Sequence, residues 1–281
     1  MTILITGARG TIARSLIRQL VAAGHEVRAA TRSPAPLAGL AHLPSGVDVT
    51  RVDFSAPATF ASVLDGVRAV FLYAERDGLG EFLRHARTAG VEHAVLLSAA
   101  SADASSADPL ASMHGKAEEE VAASDLAWTF LRPGGFATNT LQWAGTIRSH
   151  GTVRDPFPDA RSAPVHEADI ASVALHALTG PGHRGAVHLL TGPEVLTRRR
   201  QAELIGEVVG RTVAFEIQDL DEHRRDLARW GPPEIAEALV RNAAEAVHAP
   251  VPVSPAVEQI TGHPARTFAT WATDHAADFA G

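Results

Sequence analysis

Cysteine is absent from the 281 residues, so disulfides, thiolate catalysis and cysteine-ligated metals are excluded. Histidine is plentiful, yet no HExxH spacing or comparable histidine pair on a helix occurs, and no metal site is assigned. Tyrosine is nearly absent as well: Tyr73 is the single one, which leaves little choice for a phenolic proton donor. No apolar run approaches the roughly 20 residues that a bilayer requires, so no membrane partner is expected. Nor does a basic segment followed by an apolar one open the chain, and a cytoplasmic location is expected. Positive charge is in deficit, with a net charge of −7 and a pI near 6.0; this argues against a general nucleic-acid binder. What is left, at 46% hydrophobic residues, is long enough for one large α/β domain with a smaller appendage.

The most informative stretch is the first. Residues 2–6 form a short apolar run of the kind a doubly buried parallel strand needs. Gly7, Gly10 and Ala13 follow at three-residue spacing, and Ile12, Leu16, Ile17, Leu20 and Val21 then fall on one face of a helix over 11–23. Such a strand, turn and helix suit a phosphate: Gly7 permits the sharp turn, Gly10 lets backbone approach a pyrophosphate, and the small Ala13 lets helix and strand pack closely. The anion would rest on the free N–H groups at Thr11 and Ile12. Gly24 stops the helix and a second strand follows over 26–31. Its end offers Thr31, Arg32 and Ser33 where an NAD site usually carries a carboxylate. Arg9, inside the turn, can reach the same corner, so two guanidinium groups could hold a 2′-phosphate. The expected cofactor is therefore NADP(H) in preference to NAD(H).

The alternation continues. A proline- and glycine-bearing loop over 33–46 leads to a strand over 47–52, closed by Asp53 and Phe54. A carboxylate and an aromatic edge there suit an adenine, although Asp53 reads equally well as a turn cap. A helix over 57–64, a strand over 69–73, a helix over 79–89 and a strand over 93–98 complete a repeated βαβ pattern. This predicts an α/β fold of Rossmann type, a doubly wound parallel sheet with helices on both faces. Gly7, Arg32, Asp53, Tyr73 and Ser98 all fall at strand carboxyl ends, where such sheets bind ligands. Beyond Ser98, a polar small-residue segment to Pro109 reads as a flap over the cleft. The helix over 112–124 carries His114 and Lys116 at its start, and its run Glu118, Glu119, Glu120 reads as a solvated face. A strand over 127–131 then turns out through Arg132 and Pro133.

Taken together, the segments 6–13, Thr31-Arg32-Ser33-Pro34, Leu96-Leu97-Ser98, His114-Gly115-Lys116-Ala117-Glu118, 128–134, Asn139, Asp169-Ile170-Ala171, 190–194 and 261–268 resemble the NmrA-like group of atypical short-chain dehydrogenases/reductases. The likeness covers nearly the whole chain. It implies an NADP-binding Rossmann domain over 1–135, with segments near 165–190 returning to it, interleaved with a smaller, mainly helical substrate-binding portion over 136–281. Members include quinone and isoflavone-type reductases, and also redox-sensing regulators that bind the nucleotide without reducing anything. A redox-neutral biosynthetic enzyme on the same fold is a further possibility.

One departure bears on chemistry. The wider class places a tyrosine four residues before an active-site lysine, but counting back from Lys116 gives Ser112. Reduction of a quinone or an activated double bond leaves an oxyanion that other groups can serve. The expected catalytic set is then Lys116 and His114 with Ser98 as hydrogen-bond donor. The expected cofactor contacts are Gly7, Arg9, Gly10, Thr11, Ile12, Arg32, Asp53, Phe54, Tyr73, Ser98, Lys116 and Pro133. Phe136, Asn139 and Trp143, the last two on a helix expected over 139–147, would shape an apolar pocket for a small aromatic or apolar substrate. Arg198, Arg199 and Arg200 read as a surface patch at a helix start. The oligomeric state is left open.

Overall fold

The computed structural model describes residues 2–33, 43–74, 77–229 and 231–280; Pro34 and most of the loop expected over 33–46 fall outside them. The first part of the chain runs β1 (Thr2–Ile5), α1 (Thr11–Ala22), β2 (Glu26–Thr31), β3 (Asp48–Arg51), α2 (Phe60–Leu64), β4 (Val67–Tyr73), α3 (Leu79–Thr88), β5 (His93–Leu97), α4 (Pro109–Ala122) and β6 (Ala127–Pro133). The second part runs α5 (Ala144–His150), β7 (Thr152–Arg154), β8 (Arg161–Ser162), α6 (Glu167–Thr179), β9 (Ala186–Leu190), β10 (Leu196–Thr197), α7 (Arg198–Val209), β11 (Ala214–Glu216) and α8 (Leu220–Leu227). It ends in α9 (Pro233–Glu245), α10 (Ala256–Thr261), α11 (Phe268–Asp274) and α12 (Ala276–Phe279). Among the described residues no helix is long and apolar enough to cross a membrane.

Seven strands form one parallel sheet in the order β3-β2-β1-β4-β5-β6-β9. This is the Rossmann-type α/β fold that the alternation predicts. Strand periodicity explains why both faces must be covered. Ile3 and Ile5 point to one face, where Leu16, Ile17 and Leu20 of α1 and Ile170, Val173 and Ala177 of α6 bury them. Leu4, Val70 and Leu96 point to the other, beneath Phe60, Phe82 and Val121 of α2, α3 and α4. The order reverses at β1, which pairs with β2 on one side and β4 on the other. The crevice beyond the ends of β1 and β4 is where such sheets take ligands.

Local differences from the sequence reading have physical causes. The helix expected over 57–64 is a 3₁₀ turn, Pro57–Thr59, feeding the short α2. A second 3₁₀ segment, Ala137–Trp143, precedes α5 where one helix was expected. The segment before α4, though none of its residues is buried, is tied to that helix: Asp108 caps α4 by accepting from Leu110 N at 2.8 Å and Ala111 N at 3.0 Å. Gly115 of α4 lies against the backbone of Asp103 and Ala104, where a Cβ would overlap it. Glu118 is buried, at 7% exposure, and pairs with Arg132, whose Nε donates to its Oε1 at 2.8 Å. So the acidic run is only partly a solvated face, and its first member ties α4 to β6.

A third core, around Trp143, Ile147, Ile205, Phe268, Trp271 and Phe279, holds the second part together. It is flanked by two small sheets, β8 with β10 antiparallel and β7 with β11 parallel. Its link to the large layer is polar. Glu167, at the start of α6, accepts from Trp271 Nε1 at 3.0 Å and faces His275 Nε2 at 2.7 Å. Burial acts to raise the Glu167 carboxyl, but the neighbouring imidazoles of His166 and His275 outweigh it and hold the group well below the usual carboxylate range. The Glu167 bond in turn raises His275, against its own burial and with help from Asp278.

The signs follow from linkage. A depressed carboxyl stabilises the fold above its ordinary value of 4.5, and that contribution is lost as pH falls through the folded value. A raised imidazole stabilises below its ordinary value of 6.5, and that contribution is lost as pH rises through the folded value. Between 4.5 and 6.5 the pair therefore contributes most. Glu167→Gln should cost about 1–3 kcal/mol by urea unfolding near pH 5.5, with a smaller deficit in strongly acidic buffer; a pH-independent deficit would show that charge plays no part.

Candidate functional site

The glycine turn sits at the order reversal. Gly7 has φ +60°, a left-handed conformation that favours glycine, and Gly10 N donates to its carbonyl at 2.8 Å. The α1 start carries no side-chain cap and no acidic residue, so its outward N–H groups and the positive end of its dipole face the crevice. Beneath the turn lies the phenol of Tyr73, edge-on to Phe71. A Cβ on Gly7 would come within 2.7 Å of that ring, and one on Gly10 within 3.1 Å of its hydroxyl. Burial pushes the Tyr73 phenol up to about 12, the Ala13 N–H it accepts from opposing the rise. At neutral pH Tyr73 is thus a protonated, hydrogen-bonded packing group.

Beside the turn is a cleft of about 300 Å³ lined by Gly10, Thr11, Ile12, Tyr73, Leu97, Ser98, His114 and Phe136. Its surface is mostly apolar, though Thr11, Tyr73 and Thr138 line it as well. Ser98 Oγ and His114 Nδ1 are buried and have no hydrogen-bond partner among the described residues. Such atoms are costly to leave unsatisfied, and they mark where a polar ligand atom belongs. Burial lowers the His114 imidazole, with Glu118 partly opposing, so it is neutral near pH 7.

Several expected residues are placed differently. Lys116 is exposed and lies outside the lining of this cleft; two residues on from His114, it occupies the opposite side of α4. Asp53 accepts from Ser55 N at 3.1 Å and Ser55 Oγ at 2.7 Å and pairs with Arg51, so the turn-cap reading describes it. The Phe54 ring packs on Phe60 and Phe82. Arg9 Nε and Nη2 donate to the Ser33 carbonyl at 3.2 and 2.8 Å, bringing Arg9 to the corner where the exposed Arg32 stands. Pro133 is buried at the end of β6, its carbonyl accepting from Ala100 N at 3.0 Å.

Phe136 is held by a short parallel bridge to Val165 and also lines a second, larger cavity of about 620 Å³. Asn139 and Trp143 line this one too, Trp143 doubling as part of the third core. The far wall is polar and was not legible from sequence: Asp155, Arg161, Arg198, Gln201 and His223. Arg198 Nη1 donates to both Asp155 oxygens, at 2.7 and 2.5 Å, across 43 residues of chain that no local pattern connects. The arginine run is therefore only partly a surface patch. Arg199 stacks over Phe215 and Arg200 bridges Glu203 and Glu207, while Arg198 turns into the cavity.

Against known proteins, residues 7–181 match the sequence profile of a family described as NAD(P)H-binding. The chain belongs to this family. Its likeness to individual proteins runs over nearly the whole chain. It is 38% identical, over 99% of both chains, to a (4-alkanoyl-5-oxo-2,5-dihydrofuran-3-yl)methyl phosphate reductase of Streptomyces griseus. It is 32% identical, again over 99% of both, to an NAD(P)H azoreductase of Xenophilus azovorans. Among solved structures, an NADPH-dependent quinone oxidoreductase of Escherichia coli complexed with NADPH superposes with a TM-score of 0.80 at 26% identity, covering 97% of this chain and 99% of that one. The protein is an NAD(P)H-dependent oxidoreductase.

The orphaned Ser98 hydroxyl gives a test that separates site from scaffold. Ser98→Ala removes an unsatisfied buried group, so the ligand-free protein should gain about 1 kcal/mol in unfolding free energy while its catalytic efficiency falls. A loss of stability instead would mean that Ser98 is structural.

Proposed function

We propose that the protein uses NADPH in preference to NADH to reduce an electron-poor, conjugated carbonyl compound, an enone or a quinone, in the cleft beside Phe136. The observation that carries this reading is the pair of unpartnered polar atoms, Ser98 Oγ and His114 Nδ1, at a mostly apolar cleft next to a helix start without a side-chain cap. The residues present suit a dinucleotide. Gly7, Gly10, Thr11 and Ile12 would hold the pyrophosphate on backbone N–H groups, and Arg9 and Arg32 would hold the ribose phosphate through charge-assisted hydrogen bonds.

When bound, the nicotinamide supplies the hydride. The chain supplies the surroundings. Ile12, Leu97 and Phe136 exclude water, which strengthens polar contacts made inside. Ser98 and the neutral His114 imidazole would donate to the oxygen on which negative charge develops. Burial keeps His114 uncharged near pH 7, so it acts there as a hydrogen-bond donor and a proton relay rather than as a standing cation. Lys116 takes no part. The names of the relatives, which cover a conjugated furanone, an azo compound and a quinone, support an acceptor of this electronic type.

Two measurements test the proposal. NADPH oxidation is followed against a panel of quinones and enones; turnover is expected, and His114→Ala should lower kcat by about 10- to 100-fold. Silence across the panel with NADPH still bound would overturn the substrate reading. Reversing both Arg9 and Arg32 to Glu should erase the preference for NADPH over NADH, by about 100-fold; an unaltered preference in the double variant would overturn the cofactor assignment.

A further inference from the structure

The larger cavity has a wall whose charges do not cancel. Asp155, 3% exposed, is taken up by Arg198. The second lining arginine, Arg161, has no carboxylate partner among the described residues. Its Nη2 donates only to the Ala249 carbonyl, at 3.2 Å, and its Nε is buried with no partner. Nη1 makes no hydrogen bond among the described residues. His223 adds no cation near neutrality, because burial lowers it and its Nδ1 is engaged with Gln218 Oε1 at 3.0 Å. The wall thus carries one uncompensated positive charge in a protein whose net charge is −7.

A guanidinium presents several donors in a fixed fork, and a neutral carbonyl satisfies only one of them. A partly desolvated cation of this kind is complemented by an oxyanion. Phe136 lines both cavities, so the two adjoin at this residue, and a substrate held beside Ser98 and His114 would have to pass Phe136 for an arm of it to meet Arg161.

We infer that Arg161 is a specificity-determining residue that receives an oxyanion substituent of the substrate, a phosphate monoester or a carboxylate, while the conjugated carbonyl lies in the cleft beside Phe136. This rests on the reductase reading above. It narrows the substrate from any apolar enone or quinone to one that carries an anionic arm. The rival role for Arg161 is purely structural, since its backbone N–H and side chain both bond the chain at Ala246 and Ala249. That role would not distinguish a charged substrate from an uncharged one.

The test uses the NADP⁺-saturated protein, titrated calorimetrically with a hydroxymethyl cyclopentenone, its phosphate monoester and the matching carboxylic acid; NADPH oxidation is measured with the same three compounds. At least one anionic form should bind about tenfold or more tighter than the alcohol, and whichever does so identifies the arm. Arg161→Gln should abolish that ratio and Arg161→Lys retain part of it. Leu239→Glu supplies a second route that leaves Arg161 in place. Leu239 lines the same cavity and is 42% exposed, so a carboxylate there should depress the same ratio by charge alone. The inference is overturned if the parent protein does not discriminate, or if Arg161→Gln and Leu239→Glu both keep the discrimination. An anionic preference in binding without any NADPH oxidation would overturn the reductase reading alone. Equal turnover of all three compounds would overturn the anion subsite alone.

Discussion

A phenol ring wedged under the glycine turn sets the geometry on which the cleft depends. Tyr73 stands at the end of β4 and the turn follows β1, its neighbour in the sheet, so the ring and the turn meet where the strand order reverses. The hydroxyl meets the Ala13 N–H inside α1 and fixes the height of that helix over the sheet. Any side chain on Gly7 would collide with the ring. The tyrosine beneath thus requires glycine at position 7 and leaves little room for a side chain at position 10.

That arrangement also explains how the protein dispenses with the phenolic acid of the wider class. Its only tyrosine is committed to packing and is raised far from neutrality. On the function proposed above, the groups that would face a substrate are the Ser98 hydroxyl and the uncharged His114 imidazole, in a mostly apolar cleft. An acceptor whose reduced form is a stabilised enolate or hydroquinone asks for little more than this. A simple ketone, leaving a strongly basic alkoxide, would ask for a better acid.

The legibility of each feature tracks how local its cause is. The doubly buried strands are continuous apolar runs, and the helix of the glycine turn is a single stripe, so both were readable residue by residue. His114 and Lys116 were not separable in that way, since the phase of α4 that faces one inward and the other outward is set by Gly115 packing on Asp103 and Ala104. Glu118 looked solvated because its partner, Arg132, arrives from the next strand. The larger cavity was least legible: Asp155, Arg161, Arg198 and His223 come from separate elements and meet only because the core around Trp271 gathers them.

The sheet has a further implication for how the chain acquires its shape. One face of α1 is buried by α6, which begins at Glu167, and the free edge of β6 is paired by β9, which begins at Ala186. During synthesis, therefore, the amino-terminal half emerges with the apolar stripe of Leu16, Ile17 and Leu20 uncovered and a sticky strand margin exposed. It stays in that state until the ribosome has delivered well over half of the polypeptide. The cleft beside the glycine turn, which sits on these same layers, can therefore acquire its final form only after residues 167–190 have been made.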